Sequence, residues 1–292
     1  MKKEKVLHID AFSTKPNKGN PAGVVLNGQD YTELEMQLMA KKVGFSETAF
    51  VLPSEVADYR IRFFTPGFEA NLCGHATIGT VFAMKEAGMM EQNRFSIETK
   101  AGILPIEVRE EEGQILITMQ QAAPEFIPFE GSIAELAASI GLGVDELDER
   151  YPVMYGSTGN WTLIVPIKKL ESFSKMQPQQ EKFPALTPAK PNVSIHPLCL
   201  DVYDAESTMH GRHFSSPSAG ILEDPVTGTA SGVMGAYYKQ FIKPDFMLPA
   251  TFIVEQGHEM NKEGKVYVHV NEGISISISG TAVFSGEILV TI

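Results

Sequence analysis

The sequence predicts an α+β protein made of two similar halves, on three observations. Short β-rich runs bounded by Gly, Pro or acidic turns outnumber the helical stretches. Two of the helical stretches lack a polar face, which marks a helix surrounded by protein. One order of features also occurs twice. "RFFTPGFEANLCGHAT" (62–77) and "RHFSSPSAGILEDPVTGTAS" (212–231) each run from Arg through Phe and Pro to an acid, then to Gly-x-Ala-[Thr/Ser]. Glu69 lies five residues before Gly74, and Glu223 lies five before Gly228.

The elements follow in chain order. "MKKEKVLHIDAF" opens with basic residues, but its apolar stretch is short and holds His8 and Asp10, so it reads neither as a signal segment nor as a membrane span. "GNPAGVVL" from Gly19 is a short β-branched strand after Gly-Asn, and "GNWTLIVPI" from Gly159 is its counterpart. "TELEMQLMAKKVG" is an amphipathic helix, and "VGFSETAFVLP" sets Glu47 at a helix-to-strand transition between Phe45 and Phe50. The apolar helix "ATIGTVFAMKEAG" stops at Gly88, where glycine takes the left-handed cap conformation. "RFSIETKAGILPIEVR" and "GQILITMQ" are strands.

"QQAAPEFIPFEG" then interrupts the pattern near Pro124, giving an N-terminal domain over 1–124 and a C-terminal domain over 125–280. A C-terminal strand at about 281–292 completes the first domain. The second half holds an amphipathic helix at "GSIAELAASIGLG" and the second apolar helix at "ASGVMGAYYKQF". "KMQPQQEKFPALTPAKPN" reads as a surface connection, and "KVYVHV" and "ISISISGTAVFSGEILV" as strands.

Composition narrows the function. At 292 residues, 43% hydrophobic and 21% charged, the chain can bury a large core and divide in two. With 24 basic and 36 acidic residues, net charge −12 and no basic block, nucleic acid is not an expected partner, and small molecules are favoured. No window is apolar enough to cross a bilayer. Two cysteines, Cys73 and Cys199, make neither a disulfide framework nor a thiolate cage, which suits the cytoplasm. The chain lacks GxGxxG, Walker A, HExxH and GxSxG, so the usual sequence support for dinucleotide, P-loop, zinc-protease and serine-hydrolase readings is missing.

If the apolar helices begin at Gly74 and Gly228, each start offers backbone N–H groups and the positive end of a helix dipole, a setting for a carboxylate. His75 and Thr229 then stand at matching positions. Asp224, beside Pro225, answers to Ala70, so the site is asymmetric. An apolar setting at Glu47 would raise its pKa and let it exchange protons near neutral pH. Each residue has a plainer reading too. Glu47 could be a solvated turn glutamate, His75 a helix residue bonded to a carbonyl, and Asp224 and Thr229 caps or braces. Cys73 reads as a small buried residue, and His210 with His213 in "HGRH" as a surface loop without a third metal ligand.

"HIDAFSTKPNKGNPAGVVL", "GFSETAFV", "FFTP..E...CGHATIG" and "GILEDPVTGTASG", with "QGHEM" and "SGTAVFSGEI", resemble the PhzF (phenazine biosynthesis-like) isomerase family in order and over most of the chain. The resemblance implies a diaminopimelate-epimerase-like fold: two pseudo-equivalent domains, each a curved mixed or antiparallel sheet round a central buried helix, with the active site in the cleft between them. It implies a cofactor-independent, metal-independent isomerase, a homodimer, acting on a small carboxylated substrate. Glu47 falls on the family's general acid/base, and His75, Asp224 and Thr229 on its other catalytic positions, Thr229 replacing the more usual serine. The substrate-binding positions it implies are Asn20, Ser46, Gly74, Ala76, Gly228 and Ala230.

Two other functions stay open. A two-thiol epimerase would use Cys73, but the second copy has Thr227 before Gly228, and Cys199 lies outside the motif. A catalytically silent ligand-binding or interaction protein could keep the fold; the presence of Glu47, His75 and Asp224 together argues against it.

Overall fold

The computed structural model describes residues 2–111 and 113–292. Its first elements are β1 (Lys3–Ala11), β2 (Asn20–Val25), α1 (Glu33–Val43), β3 (Glu47–Leu52), β4 (Tyr59–Phe64), β5 (Glu69–Ala70), α2 (Gly74–Glu86), β6 (Arg94–Thr99), β7 (Gly102–Glu111) and β8 (Gln114–Gln120). There follow β9 (Glu125–Pro128), α3 (Ile133–Ser139), β10 (Met154–Ser157), β11 (Trp161–Pro166), α4 (Phe183–Leu186), β12 (Ser194–Cys199), β13 (Met209–Gly211), β14 (His213–Phe214) and β15 (Glu223–Asp224). The chain closes with α5 (Gly228–Tyr237), β16 (Ala250–Gln256), β17 (Gly264–Val270), β18 (Ile276–Gly280) and β19 (Ala282–Thr291). This is a mixed α/β fold with extensive sheet and few helices.

The chain divides into two compact units, one of residues up to Gln120 with Ser279–Ile292, the other Gln121–Ile278. The division falls between Gln120 and Gln121, within the stretch "QQAAPEFIPFEG". In the first unit β1 lies between β19 and β2, antiparallel to both; β2 runs parallel to β3, β3 antiparallel to β4, and β4 parallel to β6. β6, β7 and β8 continue antiparallel. α2 packs against β19, β1, β2, β3 and β8, so strands from both ends of that series meet one helix. This is why α2 needs no polar face: nine of its residues, from His75 to Met84, are buried.

The second unit repeats the connections. β11 runs parallel to β12, and β13 parallel to β16 with α5 on the crossover, as α2 lies on the crossover from β4 to β6. α5 packs on β17, β10, β11 and β16.

Local chemistry sets the helix ends. The Thr32 hydroxyl accepts the Glu35 N–H, and the Glu35 carboxylate accepts the Thr32 N–H at 2.8 Å, a capping box that starts α1. Gly44, at φ 75°, ends it. Met36, Met39 and Ala40 then bury against Phe50 and Phe64. α2 ends at Glu86, with the Gly88 N–H bonded to Lys85 O and the Met89 N–H to Met84 O, a Schellman closure on the expected glycine.

Two expectations are corrected. The Pro- and Gln-rich stretch 175–192 is not a bare surface connection: it contains short helical turns, and Met176 and the fully buried Phe183 anchor it in the core with Leu136 and Phe173. "HGRH" is not a surface loop. His210 lies in β13 and is fully buried, and His213 lies in β14 with its ring nitrogen 3.0 Å from that of His196. Burial holds the imidazoles of His196 and His213 below the usual histidine range.

Candidate active site

Asp10 builds the approach to the first cluster. Burial pushes its carboxyl up, but hydrogen bonds from His8, Ser285 and the Asn17 N–H outweigh that and hold it below the usual range. The bonded carboxylate fixes the turn that leads to Gly19 and Asn20. Gly19 has φ 70°, and a Cβ there would fall 2.2 Å from the Ala11 carbonyl oxygen, so only glycine makes this turn. Asn20 is buried at the start of β2, and two residues on Ala22 stands opposite Glu47 in the parallel register.

Glu47 is the first residue of β3, three residues past the Gly44 cap. Its Oε2 lies 3.3 Å from His75 Nε2, within ion-pair distance but outside hydrogen-bond geometry, and this buried oxygen has no hydrogen-bond partner among the described residues. Buried acceptors are normally satisfied, so a group that could donate or give up a proton here is favoured. Ser46 Oγ is also 3.3 Å from His75 Nε2, and Cys73 Sγ is 3.3 Å from His75 Nδ1. His75 is therefore gripped on both ring nitrogens, and the proton it carries on one dictates which neighbour it can serve as donor.

The ring sits at the second residue of α2, and Cys73, the residue before the helix, does not cap it with its side chain. A Cβ built on Gly74 would meet nothing within 4 Å, so the N–H groups at this helix start are open to close approach. Ala76 follows, wholly buried.

The second unit carries the matching motif. Asp224 is half-buried at the end of β15, and its Oδ2 accepts a short hydrogen bond from the Thr227 hydroxyl. Thr227 consequently does not cap α5, which starts at Gly228. Gln256 clamps the same turn, accepting the Thr227 N–H at 3.2 Å and donating to the Asp224 carbonyl at 2.7 Å. Thr229 is half-buried, its carbonyl accepting the Thr158 hydroxyl at 3.0 Å, and Ala230 is buried.

The structure thus gathers Ser46, Glu47, Gly74 and His75 in the first unit, and Asp224, Gly228, Thr229 and Ala230 round one turn of the second. Sequence reasoning set two contributors aside. Cys73 is more than a small buried residue, because its sulfur touches the His75 ring. Gln256 was visible only as the first letter of "QGHEM", with no spacing signal to join it to Asp224. The carboxylate, thiol and imidazole of Glu47, Cys73 and His75 converge within 4.8 Å, a donor set that a metal ion could use as well as a proton.

Residues 9–287 match the family of phenazine biosynthesis-like proteins. The chain is 49% identical to the uncharacterized isomerase YfhB of Bacillus subtilis, covering 98% of each chain. It is 26% identical to the trans-2,3-dihydro-3-hydroxyanthranilate isomerase of Pseudomonas fluorescens, covering 96% of each. The crystal structure of a PhzF-family protein of Bacillus anthracis superposes with a TM-score of 0.98 at 55% identity, covering all of both chains. A hydroxyproline epimerase of Agrobacterium vitis shares the fold, with a TM-score of 0.61 at 13% identity over 99% of this chain and 92% of that one.

Proposed function

The chain belongs to the phenazine biosynthesis-like family, and on that premise we propose that it is an isomerase that moves a proton between carbons of a small carboxylated metabolite, with Glu47 as the proton carrier. One observation carries the reading: Glu47 Oε2 is buried, lacks a hydrogen bond among the described residues, and lies beside His75 at an open helix start.

In the proposed reaction the Glu47 carboxylate breaks a C–H bond next to an unsaturated carbon, taking the proton and leaving the electron pair delocalised in the substrate. His75 and the N–H groups at the start of α2 stabilise that charge. Glu47 then returns the proton to a different carbon, so bonds shift while composition and oxidation level stay the same. The reading assigns Asp224 and Thr229, on the matching motif, to holding the substrate's polar groups. It also includes a cytoplasmic homodimer; among the described residues no helix is long and apolar enough to cross a membrane.

Cys73 beside His75 gives the two-thiol alternative its one supporting observation. Against it, Thr227 stands where the second thiol belongs and spends its hydroxyl on Asp224, while Cys199 is buried in β12. The experiment is to offer the purified protein trans-2,3-dihydro-3-hydroxyanthranilate and a panel of cyclic and amino-acid carboxylates, following isomer formation by NMR. Positional isomers support the reading, whereas inversion at one carbon without double-bond movement supports an epimerase.

A further inference from the structure

A second polar cluster lies within the second unit and takes no part in the proposed reaction. His210 on β13 and Glu255 on β16 stand opposite each other in parallel register, and both side chains are fully buried. His210 Nδ1 is 3.2 Å from Glu255 Oε1, and its Nε2 is 3.1 Å from Glu259 Oε1. Glu255 is fixed by backbone N–H donors, Tyr203 at 2.6 Å and Asp204 at 3.0 Å. Gly257, at φ 90°, turns the chain back after β16; a Cβ there would fall 2.4 Å from the Lys262 carbonyl oxygen, so the turn that returns His258 and Glu259 to the cluster needs glycine. The His258 ring stacks on Tyr203 at 4.5 Å and 19°.

Two atoms of this cluster lack what burial normally demands. His258 Nδ1 and Glu259 Oε2 are buried with no hydrogen-bond partner among the described residues, and the Glu259 side chain is only 7% exposed. The two carboxylates also outnumber the one imidazole they share, leaving negative charge in a buried setting that an ion would offset.

We infer that His210, Glu255 and His258 form a divalent metal site suited to zinc. One donor atom from each lies within 4.8 Å of the others. Two imidazoles and a carboxylate are a donor set that zinc takes, and their placement on two strands and a turn would let the ion tie these elements together. His210 is built for the role. With Nδ1 toward the ion, its Nε2–H points at Glu259 Oε1, the carboxylate–histidine–metal arrangement that fixes tautomer and ring orientation. His258 is the half-buried member of the three, the other two being fully buried.

The test uses full-length protein stripped with chelator and then titrated with Zn²⁺ by calorimetry and with Co²⁺ by absorbance. The expected result is one ion per chain at this cluster, with Co²⁺ ligand-field bands and no thiolate charge-transfer band from it, retained in Cys73→Ser. His258→Ala, whose lost Nδ1 makes no hydrogen bond and whose fold is checked by circular dichroism, should weaken Zn²⁺ binding by about tenfold or more, and Glu259→Gln by about tenfold. Zn²⁺ should raise the melting temperature of the parent but not of His258→Ala. Absence of binding, binding whose thiolate band vanishes in Cys73→Ser with no second ion, or binding unchanged in His258→Ala would each overturn the inference.

Discussion

Arg62 and Glu69 face each other through two parallel hydrogen bonds, Nε to Oε1 at 2.7 Å and Nη2 to Oε2 at 2.8 Å. Arg212 and Glu223 make the same fork in the second unit, at 2.8 and 2.6 Å. In both units the arginine also lies over a phenylalanine two residues on, Phe64 at 5.0 Å and Phe214 at 4.8 Å. Each fork pins the short strand that delivers the chain to the first glycine of a buried helix. The repeated acid, five residues before that glycine, is thus a brace for the helix start.

Loss of a brace is measurable as stability. Glu69→Gln should destabilise the protein by about 2 kcal/mol in urea unfolding at neutral pH, since it leaves Arg62 without its bidentate partner. The hydrogen bonds from Arg62 hold the Glu69 carboxyl at about 2, below a free glutamate's 4.5. Its contribution is therefore fully present above about pH 4.5 and is lost as the pH falls toward 2. The difference between parent and variant should shrink over that window.

Thr32→Ala removes the side-chain half of the α1 capping box and should cost about 1 kcal/mol of stability. It should leave turnover unchanged, because Thr32 touches no member of either polar cluster. Thermal unfolding alongside an activity assay checks both halves of this expectation.

Cys73→Ser separates the proton carriers. With Glu47 in that role, the serine hydroxyl can still meet His75, and turnover should stay within about tenfold of the parent. A two-thiol mechanism requires the sulfur as the base, so the same substitution would abolish turnover.

His75→Asn keeps a polar group at the start of α2 but removes the titratable ring. It should lower kcat by about 100-fold with a much smaller change in KM, as expected for a group that acts on developing charge. A rise in KM alone would make His75 a binding residue instead.

Much of this was legible in the sequence because local chemistry decides it. The amphipathic run "TELEMQLMAKKVG" announces α1, Gly88 announces the end of α2, and the Arg-Phe-Pro-acid-Gly order announces the repeat. What could not be read depends on distant partners. β13 is three residues long, too short for an alternating pattern, so His210 looked like part of a loop although Glu255, 45 residues on, completes its surroundings. Phe183 sits in a polar, proline-rich stretch whose composition hides one buried anchor. The contact of Cys73 with His75 is set by side-chain direction at a helix start, which spacing alone does not give.

The proposed reaction depends on Glu47 as the proton carrier. The most direct measurement is carbon-bound deuterium in substrate recovered from D₂O, comparing the parent with Glu47→Gln, an isosteric amide that cannot accept and return a proton. Because the Glu47 carboxyl exchanges its proton with D₂O before reprotonating the substrate, deuterium is expected at the protonated carbon with the parent, and its rate of appearance should fall by about 10²–10⁴ with the variant, at unchanged melting temperature. Deuterium appearing equally fast with Glu47→Gln would contradict it.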